Sequence, residues 1–210
     1  TQNVISIIGL AVGLLCFCVC IYCSRFVENT DHCFANHDRI AELNLYDGKA
    51  GRYFSGSPVP LAEELRTWAL GEAEAISSVT YPRERPYYVE LSPEKTLPYE
   101  LETIEIDTCY NRIFTPEMVA GHWKMASQSL NSVILSQSMA IKIFGNAESA
   151  IGKHMTLMRR LNTSPESTPK TGGIVYTIQA VMKDIPLNNS LDFMQNIDML
   201  TVNDLSLIHI

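Results

Sequence analysis

From Val4 to Cys23 the chain reads VISIIGLAVGLLCFCVCIYC, twenty residues without a charge and with Ser6 as the main polar interruption. No Asp, Glu, Lys or Arg occurs before Arg25. As a helix rising 1.5 Å per residue, such a run spans about 30 Å, the thickness of a bilayer's hydrocarbon core. Lipid offers the backbone no hydrogen-bond partners, so an unbroken helix is the expected form. Tyr22 sits at the exit, where an amphipathic ring suits the interface, and Arg25 follows it. A secretory signal has a shorter apolar core and a small-residue cleavage site, and no Ala-x-Ala pattern precedes Ser24. A lipoprotein needs a small residue before its modified cysteine. Leu15, Phe17, Val19 and Tyr22 precede the four cysteines here. Residues 1–24 are therefore read as a retained transmembrane helix.

Ser6, Gly9 and Gly13 fall at i, i+3 and i+7 on one face of that helix, and Gly9 and Gly13 make a GxxxG pattern. Small residues let two helix backbones approach closely in lipid. Glycine is also simply common in membrane helices, and the pattern leaves both readings open. Only Thr1, Gln2 and Asn3 precede the run, so the basic-residue rule gives no orientation.

All the charges, 16 Lys+Arg and 23 Asp+Glu, lie beyond residue 24 and give a net charge of -7. That balance argues against a nucleic-acid binder, which needs a clustered basic face. The large apolar content argues against disorder. Residues 25–204 are read as one core domain.

Within it, Arg39–Tyr46 alternates as a strand and Asp47-Gly48 turns the chain. Ser57 is expected to cap a helix with Pro58 at its first position, Leu61, Leu65 and Trp68 on its core face and Gly71 at its end. Ala75–Tyr81, Tyr87–Leu91 and Glu100–Asp107 read as strands separated by turns at Pro82, Pro86, Pro93 and Pro98. Thr115-Pro116-Glu117 is expected to start a short helix. Ser132–Leu135 reads as a strand, Ser136 as the cap of a helix to Phe144, and Gly145 as its stop. Met155–Arg159 reads as a strand and residues 161–173 as a polar, turn-rich tip. Ile174–Met182 is the strongest strand, with Ile174, Tyr176, Ile178, Ala180 and Met182 on one face. The irregular mixture predicts an α+β fold with a mixed sheet, in two subdomains.

Ala147–His154 nearly matches a phosphate-binding loop. His154 stands where a Mg²⁺-binding hydroxyl is required, and the segment lies between helix and strand in the wrong order. Asp31, His32, Cys33, His37 and Asp38 are zinc-competent atom types, but no second ligand pair supports a site, and a polar linker is expected. Cys33 and Cys109 lie outside the span, and whether they pair is left open. His122 is expected at the surface rather than as a base. Asn162 and Asn188 match glycosylation acceptors only by a short, common pattern. No catalytic residue, cofactor site or metal site is identified.

Five stretches together resemble one family, the ABC-transporter permeases of the FtsX/MacB type. They are Asn3–Phe17; Asp31 with Asn36-His37-Asp38-Arg39-Ile40; Ser57-Pro58-Val59-Pro60-Leu61-Ala62; and Asn131–Ser136 with Phe144-Gly145 and Ile151-Gly152-Lys153. The fifth is Val181–Pro186 with Asn189-Ser190. The resemblance implies a first transmembrane span followed by a MacB-like periplasmic core domain, in the inner membrane of a bacterium. It implies three further spans after Asp204, a separate or fused ATPase subunit, and dimerisation with a second copy or a paralogous permease. It also implies a periplasmic adaptor or cargo outside, with no catalysis in this chain. Cys33-Phe34 and the long 161–173 tip depart from the family pattern. The alternative class is the input module of a membrane-anchored sensor; a membrane-anchored enzyme lacks a nucleophile–base pair here.

Leu205–Ile210 is the translation of CTG TCT CTT ATA CAC ATC, the mosaic end used in library preparation. Residues 205–210 are expected to be a sequencing scar.

Overall fold

The computed structural model describes residues 2–54, 56–58, 60–68, 71, 73–92, 95–127, 129, 131–157, 173–191 and 194–202. Helix α1 (Gln2–Glu28) is 27 residues long and extends the apolar run past Cys23 by more than a turn. None of its apolar span is buried by the rest of the chain. It leads into a 3-10 turn at His37–Arg39 and then a hairpin of β1 (Leu45–Asp47) and β2 (Arg52–Phe54). Helix α2 (Pro60–Trp68) follows, then β3 (Arg83–Ser92) and β4 (Lys95–Ile106). Helix α3 (Tyr110–Phe114), strand β5 (Met118–Gly121) and helix α4 (Trp123–Ser127) precede β6 (Ser132–Ser136) and α5 (Gln137–Phe144). The chain ends its described part with β7 (His154–Leu157), β8 (Ile174–Met182) and β9 (Met199–Val202). The fold is α+β with a mixed sheet, as expected.

The sheet closes on itself. Its order runs β8, β6, β9, β4, β3, β7 and back to β8, a six-strand barrel-like ring with β5 as an outrigger on β8. β8 pairs in parallel with β6 along one edge. Along its other edge Ile174–Thr177 meets β7 and Ala180–Met182 meets β5. One core takes residues from all six ring strands, including Tyr87, Leu101, Val133, Met155, Ile178 and Met199. Only the inside of a ring is reached by every strand, so this core is the interior, and Met139, Ala140 and Ile143 of α5 join it. The second core draws on β4, β6, β8 and β9 alone and packs α3, α4 and Phe34 outside the ring.

The pattern expected along β8 fails in its middle. Val133 pairs with Ile178 but Ile134 pairs with Ala180, so Gln179 is a bulge. Tyr176 and Ile178 point into the ring while Ala180 and Met182 serve the outer core, and Ile174 is exposed. An extra residue shifts the pleat by one and turns the following side chains to the other face.

Several local expectations need correction. Of Arg39–Tyr46 only Leu45 and Tyr46 are in a strand. The Ser57 helix begins at Pro60, and Trp68 is 75% exposed rather than in a core. Ala75–Tyr81 contributes a single bridge, Val79 to Ile106. Pro86 and Pro98 lie inside β3 and β4, not at turns. Each sits where its strand has one neighbour, because β7 covers only Tyr87–Val89 and β9 only Thr103–Ile106. A proline without an N–H is tolerated on such a free edge. Thr115 ends a helix instead of starting one, with its backbone left-handed at φ 40°. By contrast, Ser136 caps α5 by accepting from the Met139 N–H, and Gly145 stops it at φ 86°. The 161–173 tip lies outside the described residues except for Gly173, as do Arg159 and the 205–210 segment.

The bulge dictates its neighbour. Gly121, at φ 70°, passes so close to Gln179 that a Cβ there would lie 2.2 Å from the Gln179 carbonyl oxygen. Gly121→Ala is expected to destabilise the domain by about 2–3 kcal/mol, through strain and overpacking together. A urea titration checks this: the midpoint should fall with the slope unchanged, and an unshifted midpoint would remove the constraint.

Candidate functional site

The site that the fold builds is the joint between α1 and the ring. A helix end leaves carbonyls without partners, and here they are taken up by both the linker and a distant turn. Asn29 donates to the Arg25 carbonyl from its backbone N–H (3.1 Å) and its Nδ2 (2.8 Å). The Phe26 carbonyl accepts from Nδ2 of Asn188 at 2.9 Å, across 162 residues of sequence. Thr30 Oγ1 lies 3.0 Å from Asn188 Oδ1 and 3.3 Å from the Phe26 carbonyl. Its single proton serves the shorter contact. Asn188 thus holds the last turn of α1 through its Nδ2 and Thr30, just beyond it, through its Oδ1.

The clasp is doubled one residue on. Asp31 is left-handed at φ 64°, its N–H donates to the Asn188 carbonyl (3.2 Å), and its Oδ1 accepts from the Ser190 N–H (2.7 Å). The 186–191 turn is itself fixed by buried Asn189, which donates to the Pro186 carbonyl (2.6 Å) and accepts from the Leu191 N–H (3.1 Å). β8 ends at Met182, so this turn is the ring's own continuation.

A third contact reaches α3. Phe34 is 4% exposed and meets Phe114 edge-on at 5.4 Å between centroids. Asn36 Nδ2 donates to the carbonyls of Arg112 and Ile113 at 3.1 and 3.2 Å, satisfying the end of that short helix. Burial pushes the Cys33 thiol above its usual range, and the nearby Asp31 carboxylate adds to the effect. The arrangement offers no nucleophile–base pair. It links the last turn of α1 to the turn after β8, and the linker beyond it to α3.

The predicted residues are distributed as follows. Ser6, Gly9 and Gly13 lie exposed on α1, and a Cβ added at either glycine would meet nothing within 4 Å. Cys16, Cys20 and Cys23 continue their three-four spacing along the same face, an extension that the GxxxG pattern alone does not reveal. Asp31, His32, Cys33, His37 and Asp38 form the joint's linker. Among the described residues no group of three His, Cys, Asp or Glu is placed to hold a metal. His37 instead contacts the Phe34 carbonyl at 3.1 Å and Asp38 at 3.1 Å, beside the His32 ring. Cys33 and Cys109 are both free thiols. His122 is exposed. Gly152-Lys153 is a turn: the Gly152 N–H donates to the Ile178 carbonyl (2.8 Å), and the Lys153 carbonyl accepts from Ile178 (2.9 Å). Asn188 stood out in the sequence only as a glycosylation acceptor; Asn162 lies outside the described residues.

No family model matches the chain, and no curated protein matches it. Solved structures do. A domain assigned to a permease of Porphyromonas gingivalis superposes with a TM-score of 0.53 at 22% identity, covering 72% of this chain and 54% of its own. The periplasmic region of MacB from Actinobacillus actinomycetemcomitans gives 0.44 at 16% identity, covering 79% and 65%. The extracellular domain of the noncanonic ABC-type transporter YknZ from Gram-positive bacteria gives 0.39 at 17%, covering 70% and 64%. The chain spans between 54% and 65% of the length of these structures. The first likeness carries the fold alone: the α+β domain that follows the apolar helix is built like that permease domain.

Removing the clasp should free the helix end without touching the ring. In Asn188→Ala, amide hydrogen exchange at residues 27–31 is expected to accelerate severalfold, from the loss of the two side-chain hydrogen bonds. Amides of β6 and β9 should keep their wild-type rates. Equal acceleration everywhere would make Asn188 a general stability residue instead of a clasp.

Proposed function

We propose that this chain is the first span and outer domain of an ABC-transporter permease of the FtsX/MacB type, and that it transmits ATP-driven movement to the outside of the membrane. The observation that carries this reading is the clasp of Asn188 and Asp31 on the end of α1. A free-standing anchor needs only a flexible tether, whereas here the helix end is hydrogen-bonded to the turn that follows a central ring strand. Movement of the span therefore reaches the ring through a joint rather than through slack chain.

In this proposal the span lies in the bacterial cytoplasmic membrane and the ring stands on its outer side. ATP is hydrolysed by a separate or fused nucleotide-binding subunit. The Ser6, Gly9 and Gly13 face packs on another helix, from a second copy or a paralogous permease, and an adaptor or cargo meets the outer domain. No cofactor is required of this chain.

The test uses the intact gene product in nanodiscs with its ATPase. Asn188→Ala should lower export about tenfold while ATP turnover stays within about twofold of wild type, the signature of a lost coupling contact. Failure of any ATPase to associate with the intact protein would sink the proposal. A kinase domain beyond the outer domain would transfer the joint to a sensor.

A further inference from the structure

Ile40 and Val79 are half-buried against the outer core. Between them, across residues 41–78, no described residue is buried and none belongs to either core. This stretch holds the β1–β2 hairpin and α2. Leu61 and Leu65 of α2 are only half-buried, and Trp68, Tyr46 and Tyr53 are exposed. Two acidic residues tie it to the rest of the domain, Asp107 just after β4 and Glu74 to the linker and α3. The Asp107 side chain, 7% exposed, accepts from Arg66 Nη2, from Ser77 Oγ (2.8 Å) and from the Ser78 N–H (2.7 Å). Glu74 accepts from Arg39 Nη1 at its carboxylate (2.7 Å) and from Arg112 Nη2 at its carbonyl (2.9 Å).

We propose that the described residues between Ile40 and Val79 form a flap hinged at those two residues, latched to Asp107 at the end of β4 and, through Glu74, to Arg39 and Arg112, and able to open without exposing either core. Opening exposes no side chain of either core, so the apolar surface it rehydrates is limited to half-buried groups such as Leu61, Leu65 and Ile76. It returns the charges of both latches to water, where solvation offsets most of the lost attraction. Closing restores one geometry, because a guanidinium meets a carboxylate in few orientations. The latch also shares residues with the joint. Arg39 belongs to the linker after α1, and Arg112 lies on α3, whose end Asn36 caps. Glu74 is thus held by the segment that follows α1 and by α3. The flap rests on burial and polar contacts alone, and it stands whether or not the chain serves a transporter.

Hydrogen exchange on the full chain in nanodiscs tests it. Wild-type amides of 60–68 should exchange through an opening that leaves β6 and β8 protected. Arg66→Ala should speed exchange in 60–68 about tenfold and Glu74→Ala about two- to fivefold, with β6 and β8 unchanged. Molar salt should mimic Glu74→Ala, because its pair with Arg39 is exposed and screened. If Arg66→Ala fails to fold, the surface variant Glu74→Ala and the salt series decide the outcome. Exchange in 60–68 that never exceeds that of β6 and β8, or that is unmoved by Glu74→Ala and salt, overturns the flap.

Discussion

The structure depends on how one isolated helix is held. α1 has no apolar contact with the domain along its span, so no burial orients the two. Orientation comes from the amide of Asn188, the hydroxyl of Thr30 and the carboxylate of Asp31, all within about one turn of the helix end. Each group also completes something local: a helix carbonyl, a left-handed residue, a turn N–H. Of the helix-end carbonyls, Arg25 and Val27 are satisfied by the linker and Phe26 by Asn188, so one backbone acceptor ties the helix to the distant turn.

Ring closure is the second constraint, and β8 bears it. The strand must serve β6 along its length while giving one half of its other edge to β7 and the other half to β5. A regular strand cannot turn its edge that way, and the bulge at Gln179 supplies the bend. The bulge in turn demands Gly121 opposite, and it assigns Ala180 and Met182 to the outer core. Phe34 packs in that same outer core, so the bulge helps build the surface on which the joint rests.

The features legible from the sequence are those that local chemistry decides. The charge-free span, the Ser136 cap, the Gly145 stop and the extent of β8 all follow from nearest neighbours along the chain. Misreadings arose where tertiary context overruled a local sign. Pro86 and Pro98 looked like turn residues because nothing local shows that their strands have a free edge there. Trp68 looked like core because its helix is amphipathic in sequence, although α2 has no buried face to offer. Asn188 was visible only as a glycosylation pattern, since its partner lies 162 residues away. The Asp31–Asp38 stretch reads as a polar linker because its order comes from afar, from the 186–191 turn and from Phe34 packed in the outer core.

The division of labour between polar and apolar contacts follows a physical logic. Inside the ring, burial makes each strand expensive to displace, and a packed interior responds to strain as a unit. At the joint and the flap the contacts are hydrogen bonds and ion pairs, which contribute little net stability because water competes for both partners. They nevertheless define angles tightly. An element that must move and then return to one position is better served by contacts that are cheap to break and specific to remake. Asn188, Asp31, Arg39, Glu74, Arg66 and Asp107 occupy those positions, and the apolar residues of both cores do not. Polar groups therefore sit where the helix, the ring and the 41–78 stretch meet, and apolar groups fill the two cores.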